Sequence, residues 1–420
     1  MKKIALLLFL LIIGSTDSFC QNIWTEKVYS PLIKTVKMEV EGVDFSLPML
    51  RLGTSDRITL KFDDLVEEYT QYGYSIIHCN SDWTKSELLP QEYIEGFEEG
   101  IIDNHANSIN TIQRFIHYWQ DLPSSMMKFL VSGNYIIKVF ASDNPEKVIM
   151  VRRFMVYEQE ASIRANIMMA RSPDIQKSKQ EIEVFISPAS NISFADPNRY
   201  LKVLVQQNGR RDNISQLKLR QYRSNELEYS FDNSNIFDAG NEFRNFDFTS
   251  MRIRSRTVSN FDYVNETNIV RLRPIADRSR LPYTTEGDID GYYYIRNDRG
   301  DDYDLESDYA WVDFYLNTQM DLYGGYYVFG ELSDWYYTVQ NKMVYNTSLN
   351  AYTLSLYLKQ GFYNYMIMYN PANTSLFETS KMEGNHSQAN NSYHILVYYR
   401  KPGTYYDSLI GYHKIIANAQ

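Results

Sequence analysis

Cysteine is all but missing from this chain: among 420 residues only Cys20 and Cys79 carry a thiol. Two thiols allow one bridge at most, so a disulfide-stapled fold is excluded and stability has to come from packing. No CxxC occurs, and His78, His105, His117, His386, His394 and His413 never pair at metal-ligand spacing, which removes the common zinc arrangements. GxSxG, the P-loop and the dinucleotide-binding fingerprint are absent too, so the familiar hydrolase, nucleotide and dehydrogenase motifs have no footing. Positive charge is in deficit: 42 Lys and Arg stand against 52 Asp and Glu, a formal net charge of −10. A chain of this sign is a poor partner for phosphate backbones, and nucleic acid is excluded. After the first 13 residues no apolar run is long enough to cross a bilayer as a helix.

What is abundant is aromatic. The chain carries 36 Tyr and 21 Phe, residue types that suit a pleated, half-buried surface and large protein contacts. At roughly 100–200 residues per domain, the length predicts two to four domains. The N-terminus carries an address. Lys2 and Lys3 precede the apolar run Ile4–Ile13 and the polar stretch Gly14–Ser18, the layout of a secretory signal peptide. Residues 1–20 are assigned to it, with cleavage near Cys20–Gln21. Cys20 also invites comparison with lipoprotein signals, but Asp17, Ser18 and bulky Phe19 before it argue against acylation. Cys79 is then the one remaining thiol. It follows His78 on a strand-like run, where neighbours point to opposite faces. The pair therefore cannot serve as nucleophile and base, and Cys79 is expected to be a buried structural residue.

Period-two alternation recurs along the chain, as in Val36–Val40, Ile58–Phe62, Ile182–Ile186 and Leu201–Gln207. Turn signals at Ser142–Pro145 and Asn208–Gly209 separate such runs. The pattern predicts a mainly β protein of tandem immunoglobulin-like β-sandwich domains with few helices. We place the first at 21–158, the second at 159–303 with a hairpin extension over Ile289–Ile295, and the third at 304–420. The acidic stretch with Asp298, Asp301, Asp302, Asp304, Glu306 and Asp308 reads as a solvated linker between the last two.

Four residues stand out as binding candidates, and none as catalytic. Arg252, Arg254 and Arg256 alternate within Met251–Val258. A strand would put all three on one face as a basic docking patch, or leave them pairing with nearby carboxylates. Trp335 ends the run Tyr327–Trp335, followed later by Gly361-Phe362-Tyr363-Asn364-Tyr365. This segment is similar to immunoglobulin-like glycogen-binding modules, and there Trp335 would stack on a sugar ring. Asp288-Ile289-Asp290-Gly291 has the start of a Ca²⁺ loop, but its Gly comes too early for an EF-hand. No cofactor is expected.

One ordered set of blocks spans nearly the whole mature chain. It comprises Phe62-Asp63-Asp64-Leu65, Ile76-Ile77-His78-Cys79-Asn80-Ser81-Asp82-Trp83 and Ser132-Gly133-Asn134-Tyr135, then Gln207-Asn208-Gly209-Arg210-Arg211-Asp212-Asn213 and Gly240-Asn241-Glu242-Phe243-Arg244. Glu383-Gly384-Asn385-His386 and Leu409-Ile410-Gly411-Tyr412 complete it. Together they resemble the plug protein family of the bacterial type IX secretion system. The resemblance implies a non-enzymatic subunit on the periplasmic side of the outer membrane. It would bind the large outer-membrane β-barrel translocon and occlude its pore when no substrate is engaged. The runner-up is a periplasmic carbohydrate-binding β-sandwich protein built around Trp335. An outer-membrane barrel fits less well, because most alternating segments are shorter than the roughly 9–11 residues of a spanning strand.

Overall fold

The computed structural model describes residues 25–189, 192–223, 225–285 and 287–418. The signal-peptide reading of residues 1–20, Cys20 included, lies outside the described residues. The protein is mainly β, and its sheets pair into three sandwiches.

The first sandwich sets Ile33–Val40, Ile58–Asp64, Ile116–Leu122 and Asn104–Asn107 against a second sheet. The centre of that sheet is Tyr72–Cys79, Gly133–Ala141 and Asn144–Tyr157. Alternation explains the shared core. Ile58, Leu60 and Phe62 are fully buried, while Thr59 and Lys61 between them face outward. Phe62 stacks on Tyr118 of the neighbouring strand at 5.2 Å, a cross-strand aromatic pair. The segment between Glu87 and Gln120 holds one helical turn, Pro90–Tyr93, and otherwise short strands.

The second sandwich has one sheet centred on Ala161–Met169, Lys179–Pro188 and Glu226–Tyr229. Its other sheet runs Ile214–Gln216, Leu201–Gln207, Ser392–Tyr399, Ser408–Ile416. The third is built from Gly361–Pro371 with Arg244–Asp247, Tyr293–Ile295 and Gly324–Phe329, facing a five-stranded sheet that includes Tyr309–Leu316 and Ala351–Lys359.

This pairing corrects the expected boundaries. A cut at 303/304 would give residues 392–416 to the last domain. Yet Leu201 pairs with Tyr399 and Gln207 with Tyr393, in unbroken antiparallel register. Tyr393, Ile395, Val397 and Tyr399 fill the core of the second sandwich beside Val203 and Val205. The third sandwich, roughly 244–382, is thus inserted into the second. Sequence periodicity shows that a strand has a buried face, but not which distant strand will cover it.

Candidate functional site: the seams between the sandwiches

Only part of the acidic stretch is solvated: Asp298, Asp301 and Asp302 are exposed, while Asp304, Glu306 and Asp308 are partly covered. Asp302 caps the turn Tyr303–Glu306 by accepting from the Leu305 N–H, and the turn packs on the first sandwich. Asp304 takes a 2.7 Å ion pair from Lys61. Asp308 accepts from the backbone N–H groups of Ile112 (2.8 Å) and Gln113 (3.1 Å). Beneath it, Lys359 of the third sandwich meets Asp63 of the first at 2.6 Å, with both side chains at most 1% exposed. Tyr309 Oη also donates to Asp63 (2.6 Å), and His117 Nδ1 stands 2.6 Å from its other oxygen. Asp63 breaks the outward alternation of its strand because the third sandwich, not water, lies beyond it.

The seam between the first and second sandwiches is built alike. Asp407 accepts from Ser81 N (3.1 Å) and Oγ (2.6 Å) and pairs with Arg400 (2.7 Å) and Lys202 (3.2 Å). Burial works against its charge, but Ser81, Arg400 and Lys202 overrule it and hold the carboxyl at about 2. Tyr398 Oη donates to Asn134 (2.7 Å) beside an apolar contact of Met49 and Met155 with Leu396 and Leu409.

The two crossings between the second and third sandwiches lie side by side. Asn241 Nδ2 donates to Glu383 O (2.7 Å), Gly240 N to Asn385 Oδ1 (3.0 Å) and His386 N to Gly240 O (2.8 Å). Buried Glu383 is clamped by Arg244 (3.0 Å) and Arg278 (2.6 Å). Those guanidiniums outweigh its burial and keep the carboxyl below the usual range. Asn208 and Gly209 both adopt positive φ (51° and 66°). From that turn Arg211 Nη1 reaches Asp334 O (2.9 Å), and Asp212 accepts from Tyr337 Oη (2.6 Å).

All three sandwiches line a cavity of about 300 Å³. Glu26, Arg152 and Met155 come from the first, Leu204, Arg211 and Leu396 from the second, and Asp334 and Trp335 from the third. Burial overcomes Lys37 and lifts the Glu331 carboxyl on its wall to about 7.

The sequence candidates land elsewhere. Met251–Arg256 is bend and turn rather than strand, so Arg252, Arg254 and Arg256 do not share a strand face. All three are exposed. Arg252 pairs with Asp298 (3.0 Å) and Arg254 donates to Ser259 O (3.0 Å). Trp335 is 6% exposed, with Phe243, Tyr292 and Phe329 edge-on to its ring. It packs a core and offers no open face to a sugar. Asp288 spends its oxygens on the N–H groups of Phe243 and Asp290. Burial, then the charge of Asp290, push it to about 7. Among the described residues no cluster of three or more His, Cys, Asp or Glu is placed to hold a metal ion. Burial drives the Cys79 thiol up to about 12 and His78 down to about 4. Cys79 packs with Ile136 and Val151, whereas His78 packs on Tyr135 and Tyr93. Sequence reasoning missed Asp63, Lys359, Asp407 and Glu383 as seam residues. Asp63 and Glu383 lay inside blocks that carried the resemblance, but a buried charge has no local signature.

Seams made of buried, mutually satisfied charges fix three sandwiches in one arrangement. This defines a rigid multi-sandwich β protein rather than a string of mobile modules. Residues 33–158 match the family model described as the type 9 secretion system plug protein 1st domain. A hypothetical protein from Parabacteroides merdae ATCC 43184, solved as a crystal structure, is 36% identical over 93% of this chain and 98% of its own, with a TM-score of 0.90. The chain belongs to one family with that protein, and its first sandwich matches the plug model. A search of curated proteins returns no match. The match implies a place in the cell envelope and a role in type IX secretion, and the matched family is not one of enzymes. No helix among the described residues is long and apolar enough to cross a membrane.

Proposed function

We propose that the protein is the non-enzymatic plug subunit of the type IX secretion system. It binds the outer-membrane β-barrel translocon from the periplasm and occludes its pore when no substrate is engaged. The observation that carries this reading is the match of the first sandwich to the plug family. The seams support it physically. An occluding body has to resist deformation, and each seam would have to give up buried, paired charges to open, which is strongly disfavoured. Many of the tyrosines are core residues, but the exposed Tyr69, Tyr222, Tyr263, Tyr323 and Tyr405 suit contacts that seal yet release, because Tyr supplies area without a permanently greasy face. Release would be a population shift set by a state of the translocon with lower affinity for the plug.

The test is an affinity pull-down of the tagged mature protein from detergent-solubilised envelopes, read by mass spectrometry. A very large outer-membrane barrel is expected to co-purify. Recovery of soluble proteins or glycans alone would refute the reading.

A further inference from the structure

One end of the third sandwich carries an apolar crown made by three loops. Residues 317–323 lead into Gly324–Phe329, 347–350 lead into Ala351–Lys359, and 372–377 follow Gly361–Pro371. Strand register brings them together, because Leu316 lies beside Tyr352, Asn346 beside Ala351 and Gly324 beside Pro371. Hydrogen bonds then tie the loops to the strands and to one another. Asp321 N donates to Tyr352 Oη (2.9 Å), Tyr315 Oη to Leu349 O (3.0 Å) and Ala372 N to Tyr323 O. From this framework Met320, Leu322, Tyr323, Leu349 and Leu376 stand out, between 52% and 79% exposed. The opposite end of the same strands is the seam, where Tyr309 and Lys359 meet Asp63. The eight residues of Tyr309–Leu316, at about 3.3 Å each, put roughly 25 Å between seam and crown.

The composition of the crown selects its cover. In a chain that is 22% charged, Asp321 is the single charged residue of the three loops. It is answered locally, by the Tyr323 N–H (2.8 Å) and by Lys381 (3.7 Å). Exposed Leu, Met and Tyr on uncharged loops, with exposed Glu378 and Lys381 beyond them, have the anatomy of an interface core and its polar rim. Lipid would be a poor cover. The loops hold no Lys or Arg to meet an anionic headgroup, and the Asn, Thr and Ser groups between the apolar tips would go unanswered in hydrocarbon. A protein surface meets both needs, with apolar pockets for the tips and uncharged groups for the amides and hydroxyls. We propose that this crown seats the plug on its translocon, against an uncharged, apolar patch of the barrel; the assignment rests on the plug reading above.

The experiment repeats the pull-down from detergent-solubilised envelopes with the unaltered mature protein and its variants. Leu322→Glu combined with Leu376→Glu is expected to cut recovery of the barrel by roughly tenfold or more, because two carboxylates would be stranded in a desolvated contact. Both positions are exposed, so the double variant is expected to melt with the unaltered protein. Leu322→Ser combined with Tyr323→Ser adds no charge and is expected to act in the same direction. Met126→Glu, at an exposed apolar position of the first sandwich, is expected to leave recovery unchanged. Full recovery with both crown variants would overturn the assignment and leave the translocon reading intact, whereas no barrel with the unaltered protein would remove both. An equal loss with Met126→Glu would overturn it as a general effect of added charge. Two further measurements address other occupants. The unaltered protein, but not the crown variants, could float with phosphatidylethanolamine–phosphatidylglycerol vesicles, which would give the crown to lipid. A dimer in sedimentation that the crown variants dissociate would give it to a second copy. Either result would overturn the proposal.

Discussion

Lys359 and Asp63 show how much one pair can hold in this protein. They sit on different sandwiches, 296 positions apart, 2.6 Å from each other and out of reach of water. Lys359 also caps the acidic turn through Asp304 O (2.6 Å). Replacing such a pair by apolar residues can be neutral, but removing one member strands the other charge. Lys359→Met is therefore expected to cost about 3–5 kcal/mol, read as a lowered urea midpoint. Adding Asp63→Asn should recover part of that loss, and a double-mutant cycle without coupling would contradict the seam as described. Neither residue was legible beforehand as half of a buried pair: Asp63 stood in a block that carried the resemblance, with no sign of its partner. Trp335 was legible as special, but for the wrong reason. Gly330 before it adopts φ +158° and Asp334 and Trp335 adopt φ +55° and +59°, which turns the indole inward on Phe329.

At the scale of elements, alternation did most of the predicting. Ile58–Asp64, Tyr72–Cys79 and Leu201–Gln207 form as strands where the pattern places them. Met251–Val258 also alternates, but the N–H groups of Arg252 and Ile253 donate to Ser250 Oγ and fold its start into bends. Side-chain-to-backbone bonds of this kind compete with sheet pairing. Ser392–Tyr399 fell within the domain expected at 304–420, yet it belongs to the second sandwich. A fragment of residues 304–420 is accordingly expected to show no cooperative thermal transition, because Tyr393, Ile395, Val397 and Tyr399 lose the strand that covers them. A sharp melt of that fragment by circular dichroism would contradict the insertion.

For the molecule as a whole, buried titratable groups set how stability follows pH. Burial holds His78 down at about 4 and His394 at about 3, against an ordinary 6.5. Their contribution is full above pH 6.5 and is lost as pH falls, because the unfolded chain binds the protons. Glu331 acts in the opposite sense. Its folded value of about 7 lies above the ordinary 4.5, so its contribution is full below pH 4.5 and is lost as pH rises through 7. Glu331→Gln keeps an acceptor for the Tyr293 N–H (3.0 Å) and removes the ionisation. Between pH 5 and pH 8 the stability difference is expected to move in the variant's favour by on the order of 2 kcal/mol, measured by urea unfolding at each pH. A difference independent of pH would show that Glu331 ionises freely in the fold.

The sequence by itself determined a mainly β, exported-looking chain without catalytic motifs, because these follow from local composition, period-two patterning and the N-terminal charge and hydropathy. The ordered blocks that carried the family resemblance turn out to lie at the seams: Asp63, Ser81, Asn134, Arg211, Asn241 and Glu383 each make a contact across one. Tertiary structure alone decided that the third sandwich interrupts the second, that part of an acidic stretch packs against the first sandwich, and that Arg152 and Glu26 line one cavity. Those depend on which surfaces meet across hundreds of residues, and the burial of a charge is a property of the partner surface rather than of the segment that carries it.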